Sequence, residues 1–133
     1  MSMAGSMRLK VLLPNEILVD TPTAKIVAEA ENGAFCLLPR HIDFVAALAP
    51  GILAYTDPDG EERFLATDEG TLVKRGQEVL VSVRDAIAGP DLAQLRAAVA
   101  ARYQELDERE RKARSALAHL EADFVRRFME LNE

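Results

Sequence analysis

A chain of 133 residues, 49% of them hydrophobic and 29% charged, has room for one domain, or for one small domain with an appendage. Its net charge of −6 repels phosphate backbones and anionic lipid, which argues against nucleic-acid binding and direct lipid anchoring. The single cysteine, Cys36, allows neither an internal disulfide nor a cysteine metal site, and it fits a reducing compartment.

The opening Met1-Ser2-Met3-Ala4-Gly5-Ser6 is small and polar, without the basic and apolar stretches of a signal peptide. It reads as an added leader, with Met7 the working start. Alternation begins at once. Leu9, Val11 and Leu13 share one face, and Arg8 and Lys10 the other. Ile26, Ala28 and Ala30 repeat the pattern, as do Val79, Val81 and Val83. A period of two is the strand signal. Turn chemistry punctuates it at Pro14-Asn15, Asn32-Gly33, Asp57-Pro58-Asp59-Gly60, Glu69-Gly70 and Arg75-Gly76. The turn at 57–60, between apolar runs 52–56 and 63–66, predicts a hairpin. Short strands with frequent turns predict an all-β sandwich of antiparallel strands over residues 7–89.

The grammar changes at Gly89-Pro90. Beyond it there is neither glycine nor proline. Leu92, Leu95, Val99, Tyr103 and Leu106, then Ala113, Leu117, Leu120, Phe124, Phe128 and Leu131, form one helical stripe. Asp91 followed by Gln94 is a capping-box start. Asp107-Glu108-Arg109-Glu110 repeats that pattern and would open a second helix. The pairs Glu105–Arg109, Asp107–Arg111, Glu108–Lys112 and Glu110–Arg114 instead favour continuity, at ~0.2–0.5 kcal/mol each. Burying even two large side chains outweighs them, at ~1.5–3 kcal/mol apiece. Residues 90–133 are therefore expected as a helical hairpin turning near 106–108, with one long helix as the extended alternative. No apolar run approaches the ~18 residues that span a bilayer, so no direct membrane insertion is expected.

Catalytic patterns are missing. There is no phosphate loop, no dinucleotide fingerprint and no metal-ligand spacing. A Cys36–His41 nucleophile pair lacks an oxyanion donor, and a free cysteine is more often a buried small hydrophobe. His41-Ile42-Asp43 reads as a loop histidine bonded locally. The chain is not expected to be an enzyme.

The run Asn32-Gly33-Ala34-Phe35-Cys36-Leu37-Leu38-Pro39-Arg40-His41 resembles the signature of the epsilon subunit of rotary, proton- or sodium-translocating F-type ATP synthases. Ala49-Pro50-Gly51, Phe64 to Leu72, Arg75-Gly76-Gln77-Glu78-Val79 and Ala86-Ile87-Ala88-Gly89 continue the resemblance in order. It spans nearly all of residues 7–133, and the wording of 35–41 is similar to a divergent branch.

The resemblance implies a β-sandwich of about ten strands and a C-terminal helical hairpin. It implies a rotor subunit of the central stalk, at the cytoplasmic face of the bacterial inner membrane. The sandwich would meet the gamma subunit and the membrane c-ring through Glu31, Asn32, Gly33, Ala34 and His41. The family often has an acidic residue just after that glycine; here it is Ala34. The helices would regulate ATP hydrolysis. When extended they would reach the catalytic alpha/beta head, with Arg109, Arg111, Lys112 and Arg114 in contact. An ATP site in the family's manner would use Leu92, Arg96, Ala97, Arg126 and Arg127. Ala93 replaces the family aspartate there, so no cofactor, or weak ATP binding at most, is expected. The alternatives are a free-standing ATP sensor, or an unrelated β-sandwich and helix adaptor.

Overall fold

The computed structural model describes residues 6–89 and 91–131. Residues 1–5, part of the 1–6 stretch that the sequence suggests as a leader, and the proline of the Gly89-Pro90 break lie outside the described residues. Ten strands come first: β1 (Met7–Leu12), β2 (Ile17–Thr23), β3 (Lys25–Ala30), β4 (Gly33–Leu37), β5 (Phe44–Leu48), β6 (Gly51–Thr56), β7 (Glu62–Thr67), β8 (Gly70–Arg75), β9 (Glu78–Val83) and β10 (Ala86–Ala88). One helix, α1 (Leu92–Leu131), follows. The expected sandwich is present.

Hydrogen-bonded neighbours run β10–β7–β6–β3–β5–β8–β9–β1–β2, with β4 on β3 as well. Every described ladder is antiparallel except β1 with β9, which is parallel. Parallel partners need a long crossover, and here most of the domain provides it. The alternating residues face inward as predicted. Leu9, Val11, Ile26, Ala28, Val79, Val81 and Val83 belong to one buried cluster with Leu37, Leu48, Leu53, Leu65 and Leu72. Burying each large apolar side chain contributes about 1.5–3 kcal/mol.

The predicted hairpin forms between β6 and β7, in register from Gly51 opposite Thr67 to Thr56 opposite Glu62. Asp57 builds its turn. One carboxylate oxygen accepts from Asp59 N and Glu61 N, both at 2.9 Å, and Gly60 takes φ 90. Glu69-Gly70 punctuates for another reason. Gly70 opens β8, and a Cβ there would stand 2.1 Å from Ser82 O on β9. Only glycine lets the two backbones approach so closely. Across β1 and β2, Arg8 Nε donates to Asp20 Oδ1 at 2.7 Å. That bond holds the Asp20 carboxyl below its ordinary value. Its stabilisation is present at neutral pH and is lost as pH falls through the lowered pKa.

The hairpin expected over 90–133 is corrected: α1 is a single helix of 40 residues, with no turn at 106–108. Asp91 does cap it, accepting from Ala93 N at 2.9 Å and Gln94 N at 3.4 Å. At Asp107 the chain continues instead. A tight helix reversal favours glycine or another residue at positive φ, and no described non-glycine residue adopts one. The Glu105–Arg109 and Glu110–Arg114 pairs both form and tie the turns across that point.

The chain divides into two compact units, one ending at Ala100 and the other beginning at Ala101. In the first, Leu95 is buried, and Leu92 and Val99 are half-buried. In the second, Leu117, Leu120, Phe124, Phe128 and Leu131 are all more than half exposed. The stripe was expected to be buried throughout; Leu95 is, while Leu92, Val99 and Leu106 are half-buried and its later residues are exposed. Leu95→Ala should lower stability in urea unfolding by about 2–5 kcal/mol. Leu120→Ala should change it by less than about 0.5 kcal/mol.

Candidate functional site

Two connections flank β4. The first is the β3–β4 hairpin, in which Ala30 pairs with Gly33 and leaves Glu31 and Asn32 as the loop. Gly33 has φ 127, which side-chain-bearing residues rarely adopt. Glu31, Asn32, Gly33 and Ala34 are all exposed. Glu31 N donates to Ala47 O at 3.1 Å, which holds the hairpin end beside β5.

The second is the 38–43 loop between β4 and β5. His41 N donates to Leu38 O at 2.9 Å and closes a turn. His41 Nδ1 bonds Ile42 O at 2.8 Å, the local bond that the sequence suggests. Asp43 turns to another partner: its Oδ1 accepts from Gly76 N at 2.8 Å. The His41 ring stands edge-on to Phe44 at 5.4 Å, and Phe44 packs on Phe35 at 5.1 Å. Phe35 follows Ala34 on β4. A run of ring contacts therefore joins the His41 loop to the strand that the Glu31–Asn32 turn begins. Leu38, Ile42 and Val45 are exposed apolar side chains of the same stretch.

Cys36 is exposed, not buried as a lone cysteine usually is, because it points outward on β4 while Leu37 points inward. Sequence reasoning also missed Lys74. It lies on β8 opposite Phe44, is 2% exposed, and donates from Nζ to His41 O at 2.6 Å and Gly76 O at 2.7 Å. The signal was its spacing, two residues from Leu72 on the inward face.

On the helix, Leu92, Arg96 and Ala97 lie in the first turns of α1, and Arg126 and Arg127 in the last. Arg126 pairs with Asp123, and Arg127 is exposed. Arg109 and Arg114 are held by Glu105 and Glu110, while Arg111 and Lys112 are exposed. Among the described residues, no group of His, Cys, Asp and Glu could hold a metal ion. None of the described helices is long and apolar enough to cross a membrane.

The described residues form a small β-sandwich with exposed loops, then a helix whose last turns expose Phe124, Phe128 and Leu131. Residues 6–89 match the family model of the ATP synthase delta/epsilon chain, beta-sandwich domain. The chain is 34% identical over 126 residues to ATP synthase epsilon chain 2 of Cereibacter sphaeroides, a match covering 93% of this chain and 86% of that one. It is 34% identical over 130 residues to ATP synthase epsilon chain 2 of Paraburkholderia xenovorans, covering 96% and 93%. A chain of the Euglena gracilis mitochondrial ATP synthase, solved with OSCP, F1 and the c-ring, aligns with TM-score 0.63 at 22% identity. That alignment covers 74% of this chain and 64% of that chain. A central stalk and c-ring assembly from Tetrahymena thermophila gives 0.54 at 12% identity, covering 62% and 66%. At these identities the solved structures show the shared fold. The chain belongs to the delta/epsilon family of ATP synthase, as an epsilon chain: a non-catalytic subunit of the complex.

The strained turn gives a direct test. Gly33→Ala should cost about 1 kcal/mol or more, because φ 127 does not suit alanine. Ala34→Asp, beside it on the exposed strand start, should stay within about 0.5 kcal/mol. Paired thermal or urea unfolding curves would separate the two.

Proposed function

We propose that this subunit turns with the rotor, joining gamma to the membrane c-ring through its sandwich and regulating ATP hydrolysis through its helix. The sandwich contacts are the Glu31-Asn32-Gly33-Ala34 turn and the His41 loop. The complex stands at the cytoplasmic face of the bacterial inner membrane, a reading that the bacterial relatives support. Their shared name, epsilon chain 2, fits the divergent wording of residues 35–41.

One observation carries the regulatory part. The helix is uninterrupted, yet Leu117, Leu120, Phe124, Phe128 and Leu131 leave most of their surface in water. Each of these side chains would contribute about 1.5–3 kcal/mol if fully covered, so a partner surface that covers them gains substantially. Arg109, Arg111, Lys112 and Arg114 add cations that suit acidic patches on the catalytic alpha/beta head. ATP binds weakly at most in this reading, because Ala93 offers no carboxylate beside Arg96.

Pulldown should recover gamma with this chain, and ATPase assays of the assembled head should show faster hydrolysis when residues 101–133 are removed. Failure to recover gamma would overturn the rotor assignment, and unchanged hydrolysis would overturn the regulatory one. Calorimetry of the free chain with ATP should show weak binding or none. Micromolar binding that Arg96→Ala abolishes would favour an ATP sensor instead.

A further inference from the structure

Lys74 breaks the inward pattern of β8. It shares with Leu72 the face that the core covers. A buried ammonium is costly unless hydrogen bonds satisfy it. Here two carbonyls do so, His41 O in the 38–43 loop and Gly76 O in the β8–β9 turn. Gly76 N then donates to Asp43 Oδ1, so the same turn is bonded to the loop a second time. Three stretches of chain meet on one cation and one carboxylate. An apolar side chain of similar volume would fill the space without the desolvation cost, so packing does not account for a lysine. A residue that violates the local pattern without a packing gain points to a functional demand.

We propose that Lys74 is a positioning residue: its buried ammonium clasps the 38–43 loop to the β8–β9 turn and presents Leu38, His41 and Ile42 in one shape to gamma and the c-ring. The partner half of this inference rests on the interface assignment made above. Leu38 and Ile42 are 51% and 78% exposed, so the side chains offered to a partner are free while the backbone beneath them is tied. A loop already in its bound shape loses little order on docking. If opening the clasp leaves that shape populated about a tenth of the time, apparent affinity falls about tenfold.

The full-length chain carrying Lys74→Met is the test, with Lys74→Arg and Asp43→Ala beside it. Hydrogen exchange of the amides of residues 38 and 40–43 in the isolated chain judges the clasp without any partner. Exchange should quicken in Lys74→Met and Asp43→Ala and return toward the parent rate in Lys74→Arg, while core amides stay protected. Unchanged loop exchange in Lys74→Met overturns the clasp. Binding is then measured against purified gamma bound to the c-ring. Lys74→Met should bind about tenfold more weakly at an unchanged unfolding midpoint. Equal affinity overturns the positioning role. A parent chain that does not bind overturns the interface assignment and leaves the exchange result to stand on the clasp. Should Lys74→Met not fold, Asp43→Ala carries both measurements, since its carboxylate is exposed.

Discussion

The parallel ladder between β1 and β9 is the contact on which the sandwich depends. Leu9, Val11, Val79 and Val81 have no exposed surface, and they stand on these two strands. Along the sheet path, β1 carries β2 outward and β9 carries β8. Without the ladder, β1 and β2 would be a lone hairpin, and such hairpins are marginal in water. The remaining strands would expose an open edge at β9, beside the buried Val79 and Val81. Pairing the first strand with the ninth satisfies both edges and covers the core in one step.

Most of that architecture was legible because period two is a local property. Leu9 and Val11, Ile26 and Ala28, and Val79 and Val81 announce their inward faces without any knowledge of the partner strand. Asp57 and Gly60 announce a turn by chemistry that acts within four residues. Direction and partner are not local, so the parallel pairing left no mark on the pattern. Gly70 was read correctly as punctuation but for the wrong cause. Its smallness serves a neighbouring backbone and not a turn.

The helix shows the opposite failure. Asp91 and Asp107 head similar capping patterns, but only Asp91 follows a Gly-Pro break. A cap needs a chain that has already left the helix. An aspartate within an exposed helix costs only about 0.7 kcal/mol or less relative to alanine, and flanking ion pairs offset that. The hairpin expectation also assumed that apolar stripes must cover one another. In the structure the later half of the stripe stays wet, which is tolerable for a helix held by its own backbone bonds. At the candidate interface, the exposed turn and His41 were found through a resemblance, whereas Lys74 was hidden. A lysine is ordinarily counted with the solvated charges, and its inward spacing from Leu72 was the one sign against that.

The β1–β9 ladder has a further consequence, for the order in which the domain is made. Leu9 and Val79 are about seventy residues apart, so this contact has a high sequence separation and closes at a large entropic cost. During synthesis, β1 and β2 leave the ribosome well before β9 exists. Their apolar face must wait, unpaired, for residues 78–82 to emerge. The nascent sandwich therefore passes through a stage with an open strand edge and uncovered aliphatic side chains, the condition in which chaperones compete with aggregation.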